Sequence, residues 1–130
     1  MGPLAAWRAA HPGALVARVE GRRDLVDADF VHLAGVKALN MDGCRQPSIT
    51  DAAFAHLRGI HTLFMNGCSQ PGITDAAFAH LRGIHTLYMM GCSQPGITPA
   101  AFAQIRDIVL LNADGCAPAV IAAAAAARRA

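Results

Sequence analysis

The stretch Ser48–Pro71 reads SITDAAFAHLRGIHTLFMNGCSQP, and Gly72–Pro95 follows it directly as GITDAAFAHLRGIHTLYMMGCSQP. The two segments are identical at 21 of 24 positions, and Asp24–Pro47 and Gly96–Ala119 are diverged copies of the same unit. Self-similarity at a fixed period of this length is typical of solenoids, in which each unit packs on its neighbours. The two near-identical copies differ only at Ser48/Gly72, Phe64/Tyr88 and Asn66/Met90.

Each unit predicts a short helix followed by a short strand. Thr74 is a good N-cap for a helix over Asp75–Arg82, and Gly83 suits the position just after its end. In the last copy Pro99 replaces the first helical residue, where proline is tolerated. The segment His85–Met90 alternates apolar and outward-facing positions, which indicates a strand with one buried face.

A strand and a helix in every unit predict an α/β fold with a parallel sheet on one side and helices on the other. Neighbouring strands lie about 4.8 Å apart, whereas packed helices need about 8–10 Å. The helix side is therefore longer than the strand side, and the stack must curve. We expect the parallel sheet on the concave face and the short helices on the convex face.

The pattern I-x2-L-x-M-x2-C-x4-I-T-D-x2-F-x2-L resembles the cysteine-containing leucine-rich repeat. It is carried here by Ile60, Leu63, Met65, Cys68, Ile73, Thr74, Asp75, Phe78 and Leu81. The resemblance covers about residues 24–116 and implies a leucine-rich-repeat solenoid. Such repeats are best known from F-box/leucine-rich-repeat proteins, where they recruit substrates to a ubiquitin ligase. The unit here is slightly shorter than the family's usual one, and residues 1–20 are too short to hold the F-box helices.

The repeats divide the chain into three predicted parts. Residues 1–23 form an N-terminal cap with a degenerate first strand around Leu15 and Ala17, and residues 24–117 form four repeats of 24 residues. Residues 118–130 form an alanine-rich capping helix that begins at Pro118 and ends in two arginines. Both caps are thin, so self-association through the ends of the solenoid is left open.

The outward-facing strand positions are the predicted binding site. Two of the three differences between the near-identical copies, Phe64/Tyr88 and Asn66/Met90, fall on this face. Exposed aromatic residues inside a polar rim are the usual anatomy of a binding hot spot. The predicted concave-face residues are Asn40, Asp42, Phe64, Asn66, Tyr88, Met90, Asn112 and Asp114.

The cysteines recur once per unit and are predicted to form a buried structural column of Cys44, Cys68, Cys92 and Cys116. Zinc sites usually place their ligands in close pairs, so this spacing argues against a metal site. No cofactor is predicted. His61 and His85 begin successive strands and should lie roughly 5 Å apart. A duplicated surface residue is the favoured interpretation of this pair, and a metal or pH-sensitive site is the alternative.

Composition narrows the functional classes. Hydrophobic residues make up 54% of the 130 residues, charged residues 15%, and the net charge is only +2, so we expect neither a membrane nor a nucleic-acid partner. No acid, base and nucleophile converge in the pattern, so the chain is predicted not to be an enzyme. The leading interpretation is a cytoplasmic protein-binding module, with the nucleus as the alternative location. The other hypotheses are the substrate receptor of an F-box-type ubiquitin ligase and a structural repeat fragment without a dedicated ligand.

Overall fold

The computed structural model describes residues 3–92 and 94–127. Helix α1 (Pro3–Ala10) and strand β1 (Val16–Arg18) come first, followed by a 3₁₀ helix over Asp27–Leu33 and strand β2 (Ala38–Asn40). The chain then repeats a helix and a strand until it reaches a longer C-terminal helix. These elements are α2 (Asp51–Phe54), β3 (Thr62–Phe64), α3 (Asp75–Phe78), β4 (Thr86–Tyr88), a 3₁₀ helix over Pro99–Gln104, β5 (Leu110–Asn112) and α4 (Pro118–Ala127).

The five strands form one parallel sheet in the order β1-β2-β3-β4-β5. The central residues of the strands are in register across the whole sheet and are all buried: Ala17, Leu39, Leu63, Leu87 and Leu111. Each connection between neighbouring strands carries the helical segment of its unit. The predicted α/β fold with a parallel sheet and short helices is therefore confirmed.

The helical segments are tighter than the sequence predicted. The expected helix Asp75–Arg82 is one α-helical turn, α3, that continues as a 3₁₀ turn over Ala79–Leu81. A 3₁₀ turn commonly closes a short helix because its i→i+3 bonds satisfy the last carbonyls. Gly83 follows with a φ of +84°, a conformation that residues with a Cβ rarely adopt, as the sequence predicted for the helix end.

The predicted strand His85–Met90 is also shorter in the structure. Strand β4 spans Thr86–Tyr88, although the backbone N–H of Met89 still donates to the carbonyl of Asn112 at 2.9 Å. Pairing with the next unit thus continues past the formal end of the strand. The chain then turns at Gly91, where φ is +73°.

The core is a set of columns in which one residue type recurs from unit to unit. Phe30, Phe54, Phe78 and Phe102 are buried beneath the helical segments, and the rings of Phe78 and Phe102 meet edge to face at 5.8 Å. Burying each such side chain contributes roughly 1.5–3 kcal/mol. Because a column runs through successive units, a single unit could not bury its phenylalanine alone.

A ladder of carboxylate hydrogen bonds links successive units on the helical side. The carboxylate of Asp51 accepts from the backbone N–H of Thr74 at 2.7 Å and from its hydroxyl at 2.6 Å. The hydroxyl of Thr74 also accepts from the N–H of Ala76, which is the predicted N-cap interaction. Asp27 with Thr50 and Asp75 with Thr98 repeat this pairing, so each helix start is held by the preceding unit.

The ladder begins and ends where the sequence changes. Val26 occupies the threonine position of the first unit, so the ladder begins with the carboxylate of Asp27. Pro99 occupies the aspartate position of the last unit, so the ladder ends with the hydroxyl of Thr98. These hydrogen bonds from one unit to the next were not predicted from the sequence.

The first strand has a different register from the one that the 24-residue period predicted. That period placed Leu15 and Ala17 opposite Leu39 and Met41, but β1 pairs Ala17 with Leu39. The first spacing is therefore 22 residues, since 39 minus 17 is 22, and Leu15 lies outside the strand with 56% of its surface exposed. The physical reason is burial: Ala17 and Val19 are the apolar side chains that fit beneath the sheet.

Candidate binding face

The register places one outward-facing side chain from each strand in a single row across the sheet. This row consists of Arg18, Asn40, Phe64, Tyr88 and Asn112. The last four were predicted from the sequence as binding residues. Arg18 was missed because its place in the row depends on the shorter first spacing, which the 24-residue period does not give.

Phe64 and Tyr88 form the centre of the row. Their ring centroids lie 4.8 Å apart with an interplanar angle of 18°, so the rings are stacked, and both side chains are half-buried. The two aromatic residues that the sequence predicted on this face are therefore direct neighbours. Met90, two residues further along the chain, is 38% exposed and adds an apolar side chain at the same side of the sheet.

A second stack lies at the start of the same strands. The imidazoles of His61 and His85 are 4.4 Å apart and nearly parallel, close to the predicted spacing. In each residue Nδ1 lies 2.7 Å from the hydroxyl of the next residue, Thr62 or Thr86. Across residues 3–92 and 94–127, no three His, Cys, Asp or Glu side chains are grouped so that they could hold a metal ion.

The polar residues of the predicted rim are partly used within the protein. Asp42 accepts from the backbone N–H of Asn66 at 2.7 Å, and Asn66 accepts from the backbone N–H of Met90 at 2.8 Å. Asn40 and Asn112 each accept from the N–H two residues ahead, at Asp42 and Asp114. These side chains hold the turns after the strands in place, a role that the spacing in the sequence did not reveal.

The cysteine column is buried as predicted and points away from this face. Each thiol donates to a backbone carbonyl of the preceding unit or, for Cys44, of the N-terminal cap. The distances are 3.0–3.3 Å: Cys44 to Val19, Cys68 to Met41, Cys92 to Met65 and Cys116 to Met89. Burial raises the pKa of the Cys92 thiol to about 12 and raises that of the Cys68 thiol as well. Thiols held protonated in this way are weak nucleophiles, which fits a structural role.

None of the helices in the described part of the chain is both long and apolar enough to cross a membrane.

Comparison with solved structures places this geometry among leucine-rich-repeat proteins. The structure of the Toll–Spatzle complex from Drosophila, in its glycosylated form, matches 87% of this chain with a TM-score of 0.67 and 17% identity. The structure of a TLR13–ssRNA13 complex matches 76% of the chain with a TM-score of 0.54 and 19% identity. The chain spans only 17% and 18% of those two proteins, and at these identities the likeness concerns the fold.

No family model matches the chain, and no curated protein matches its sequence. The fold is nevertheless a leucine-rich-repeat solenoid, with the parallel sheet on the concave face and the short helices on the convex face. The narrower resemblance to the F-box subfamily gains no support from these comparisons. TLR13 was solved in complex with an ssRNA, so the comparisons do not support the exclusion of a nucleic-acid partner. That exclusion stays a prediction from the low net charge.

Proposed function

We propose that this chain is a protein–protein interaction module that binds its partner over the concave face, with the Phe64–Tyr88 stack at the centre of the contact. The observation that carries the proposal is this stack, two half-buried rings held 4.8 Å apart on a sheet whose register fixes them. Aromatic side chains that are rigid before binding lose little conformational entropy on binding. They are therefore strong candidates for hot-spot residues.

The surroundings of the stack support the same function. Hydrogen bonds from Asp42 and Asn66 brace the turns beside it, so a partner would meet a surface whose backbone is already ordered. One of the similar structures is a complex of Toll with Spatzle, an example of this fold in an assembly with another molecule. The cytoplasmic location, the three-part division of the chain and the absence of enzymatic activity stay predictions from the sequence.

The test removes both rings without touching the core. Phe64→Ala with Tyr88→Ala should leave the far-ultraviolet circular dichroism unchanged and reduce capture of partners by the immobilised chain at least tenfold. Hot-spot truncations typically cost about 2 kcal/mol or more each. The matched control is Val26→Ala with Val31→Ala, which removes two exposed apolar side chains on or beside the 3₁₀ helix of the first unit. The proposal is wrong if the variant without both rings captures partners as well as the wild type does.

A further inference from the structure

A notch of about 130 Å³ opens on the concave face beside the aromatic stack, over strands β1 and β2. Its lining includes Arg18 from β1 and Phe64 from β3, with Ala17 and Leu39 among the residues between them. Ala17 and Leu39 are buried central residues of their strands, so the floor of the notch is the sheet itself. The notch is thus part of the binding face and is bounded by a ring on one side and a cation on the other.

Small or restrained side chains keep the notch open. Ala38 occupies the first position of β2, where the register places Thr62, Thr86 and Leu110 in the following strands. Asn40, which also lines the notch, accepts a hydrogen bond from the N–H of Asp42 at 2.9 Å. The amide oxygen of Asn40 is therefore drawn toward the turn after β2. Strand β2 thus has neither the aromatic ring nor the larger first residue of strands β3 and β4.

The gap between Arg18 and Phe64 is wide enough for one aromatic ring that contacts both side chains. Arg18 and Phe64 are two strands apart, which corresponds to about 10 Å. Tyr88 stacks on Phe64 from the β4 side, which leaves the β2 side of Phe64 toward the notch. A ring seated above Asn40 would be about 5 Å from each wall, which is the range of both aromatic stacking and cation–π contact.

Charge also favours an aromatic occupant. The side chain of Arg18 is 74% exposed, and its ion pair with Glu20 is long, at 4.0 Å. A guanidinium in this position can lie over the negative face of a ring. The notch of about 130 Å³ is much smaller than the pockets of about 300–1,000 Å³ that hold cofactors and drug-sized molecules. It is close in size to a cavity of about 150 Å³ that holds benzene, so it suits one ring, which can remain partly exposed at the open side.

From this geometry we propose that the notch is a specificity pocket for one aromatic side chain of a protein partner, which stacks on Phe64 and is covered by Arg18. The inference rests on the proposed function and adds the chemistry that the partner must present. Tryptophan and tyrosine are the preferred occupants, because their rings give stronger cation–π contact or carry a polar group that Asn40 can reach. The partner ring extends the stack of Tyr88 and Phe64 by a third ring.

The experiment titrates the full chain with N-acetyl-tryptophanamide and follows the backbone amides by ¹H–¹⁵N NMR. N-acetyl-leucinamide serves as the aliphatic probe of similar backbone chemistry. The tryptophan probe should give saturable ring-current shifts at the amides of Arg18, Asn40 and Phe64, and the leucine probe should bind at least several-fold more weakly. Equal responses to the two probes, or shifts scattered over the helical side, would overturn the proposal.

Two variants test the walls of the notch. Ala38→Leu fills it and should abolish the saturable shifts, and the fold should tolerate it because Leu110 occupies the equivalent position in β5. Arg18→Gln should weaken binding of the tryptophan probe about two- to fivefold. The matched control is Arg45→Gln, which alters an exposed arginine in the turn after Cys44. Unchanged probe binding in Ala38→Leu contradicts the assignment.

The same variants separate this inference from the proposed function. If partner capture is lost with Phe64→Ala and Tyr88→Ala but retained with Ala38→Leu, the concave face binds and the aromatic pocket is wrong. If capture survives the removal of both rings, the proposed function itself is wrong. Loss of capture in both variants, together with selective tryptophan binding by the wild type, supports both.

Discussion

The two ends of this solenoid are closed by helices that use different physical means. Helix α1 at the N-terminal end combines a buried leucine with a network of directed hydrogen bonds. Helix α4 at the C-terminal end offers only apolar side chains over its described length, Pro118–Ala127. Directed hydrogen bonds fix one position of a helix, whereas apolar contacts require only that the side chains be buried.

At the N-terminal end, one side chain makes most of the specific contacts. The guanidinium of Arg8 donates to five backbone carbonyls: His11, Pro12, Ala14, His32 and Ala34. Two of these carbonyls belong to the end of the first 3₁₀ helix and the residue after it. Arg8 therefore joins the cap to the first unit and satisfies carbonyls that a helix end leaves free.

At the C-terminal end, contact is made by small side chains. Val120 and Ala124 are buried against the last unit, while Ile121 is 39% exposed. Alanine has a high helix propensity but buries little surface, so α4 forms readily and is held weakly. The difference teaches that apolar contact from a helix is enough to cover the end of a solenoid, but only directed contacts fix which residues meet.

The largest expected effect is at the apolar anchor of α1. Leu4→Ala should lower the free energy of unfolding by about 3 kcal/mol, because Leu4 is 4% exposed and the substitution leaves a cavity at the cap. Urea unfolding followed by circular dichroism measures the change. Ile121→Ala is the matched control on α4 and should cost far less. Equal losses for the two variants would remove the distinction between the ends.

The hydrogen-bond network of Arg8 should give the next largest effect. Arg8→Gln removes the fork that reaches five carbonyls and should cost about 2 kcal/mol, the range for hydrogen bonds to a charged group. Arg23→Gln, at an exposed position after β1, controls for the loss of a positive charge. The expectation fails if thermal unfolding midpoints of the two variants coincide.

The smallest effect should appear as local opening at the C-terminal end. Cys116 is 7% exposed, whereas Cys44 in the first unit is fully buried, so N-ethylmaleimide should label Cys116 first under native conditions. Val120→Ala should accelerate labelling of Cys116 about tenfold, because it removes about 1.5 kcal/mol of apolar burial. Labelling of Cys44 should not change. Mass spectrometry of peptides gives both rates, and parallel acceleration at Cys44 would show that the two ends open together.

Periodicity made the repeating part of the fold predictable. Thr74 as N-cap, Gly83 after the helix and the inward Cys68 recur at a fixed spacing, so each was expected before its contacts were known. The Phe64–Tyr88 and His61–His85 stacks follow from the same period, since residues 24 apart are neighbours in a parallel register. Local signals repeated in every unit were sufficient for these features.

Features that depend on departures from the period could not be predicted. The spacing between β1 and β2 is two residues shorter than the repeat, so Arg18 and not the residue 24 positions before Asn40 joins the outward row. The contacts of Arg8 link a non-repeating cap to the first unit, and no pattern in the sequence marks them.

The Asp–Thr ladder, in contrast, left a signal in the sequence that was overlooked. Val26 replaces the threonine at the start of the array, and Pro99 replaces the aspartate at its end.

Because of that interruption, a further unit fits within the array but not after its last unit. An additional unit inserted between two existing ones would find a carboxylate before it and a threonine after it, and would lengthen the sheet by about 4.8 Å. A unit appended behind Pro99 would find no carboxylate for its threonine, because proline stands where the aspartate would have to be. The sequence therefore permits growth from within and opposes growth at its tail.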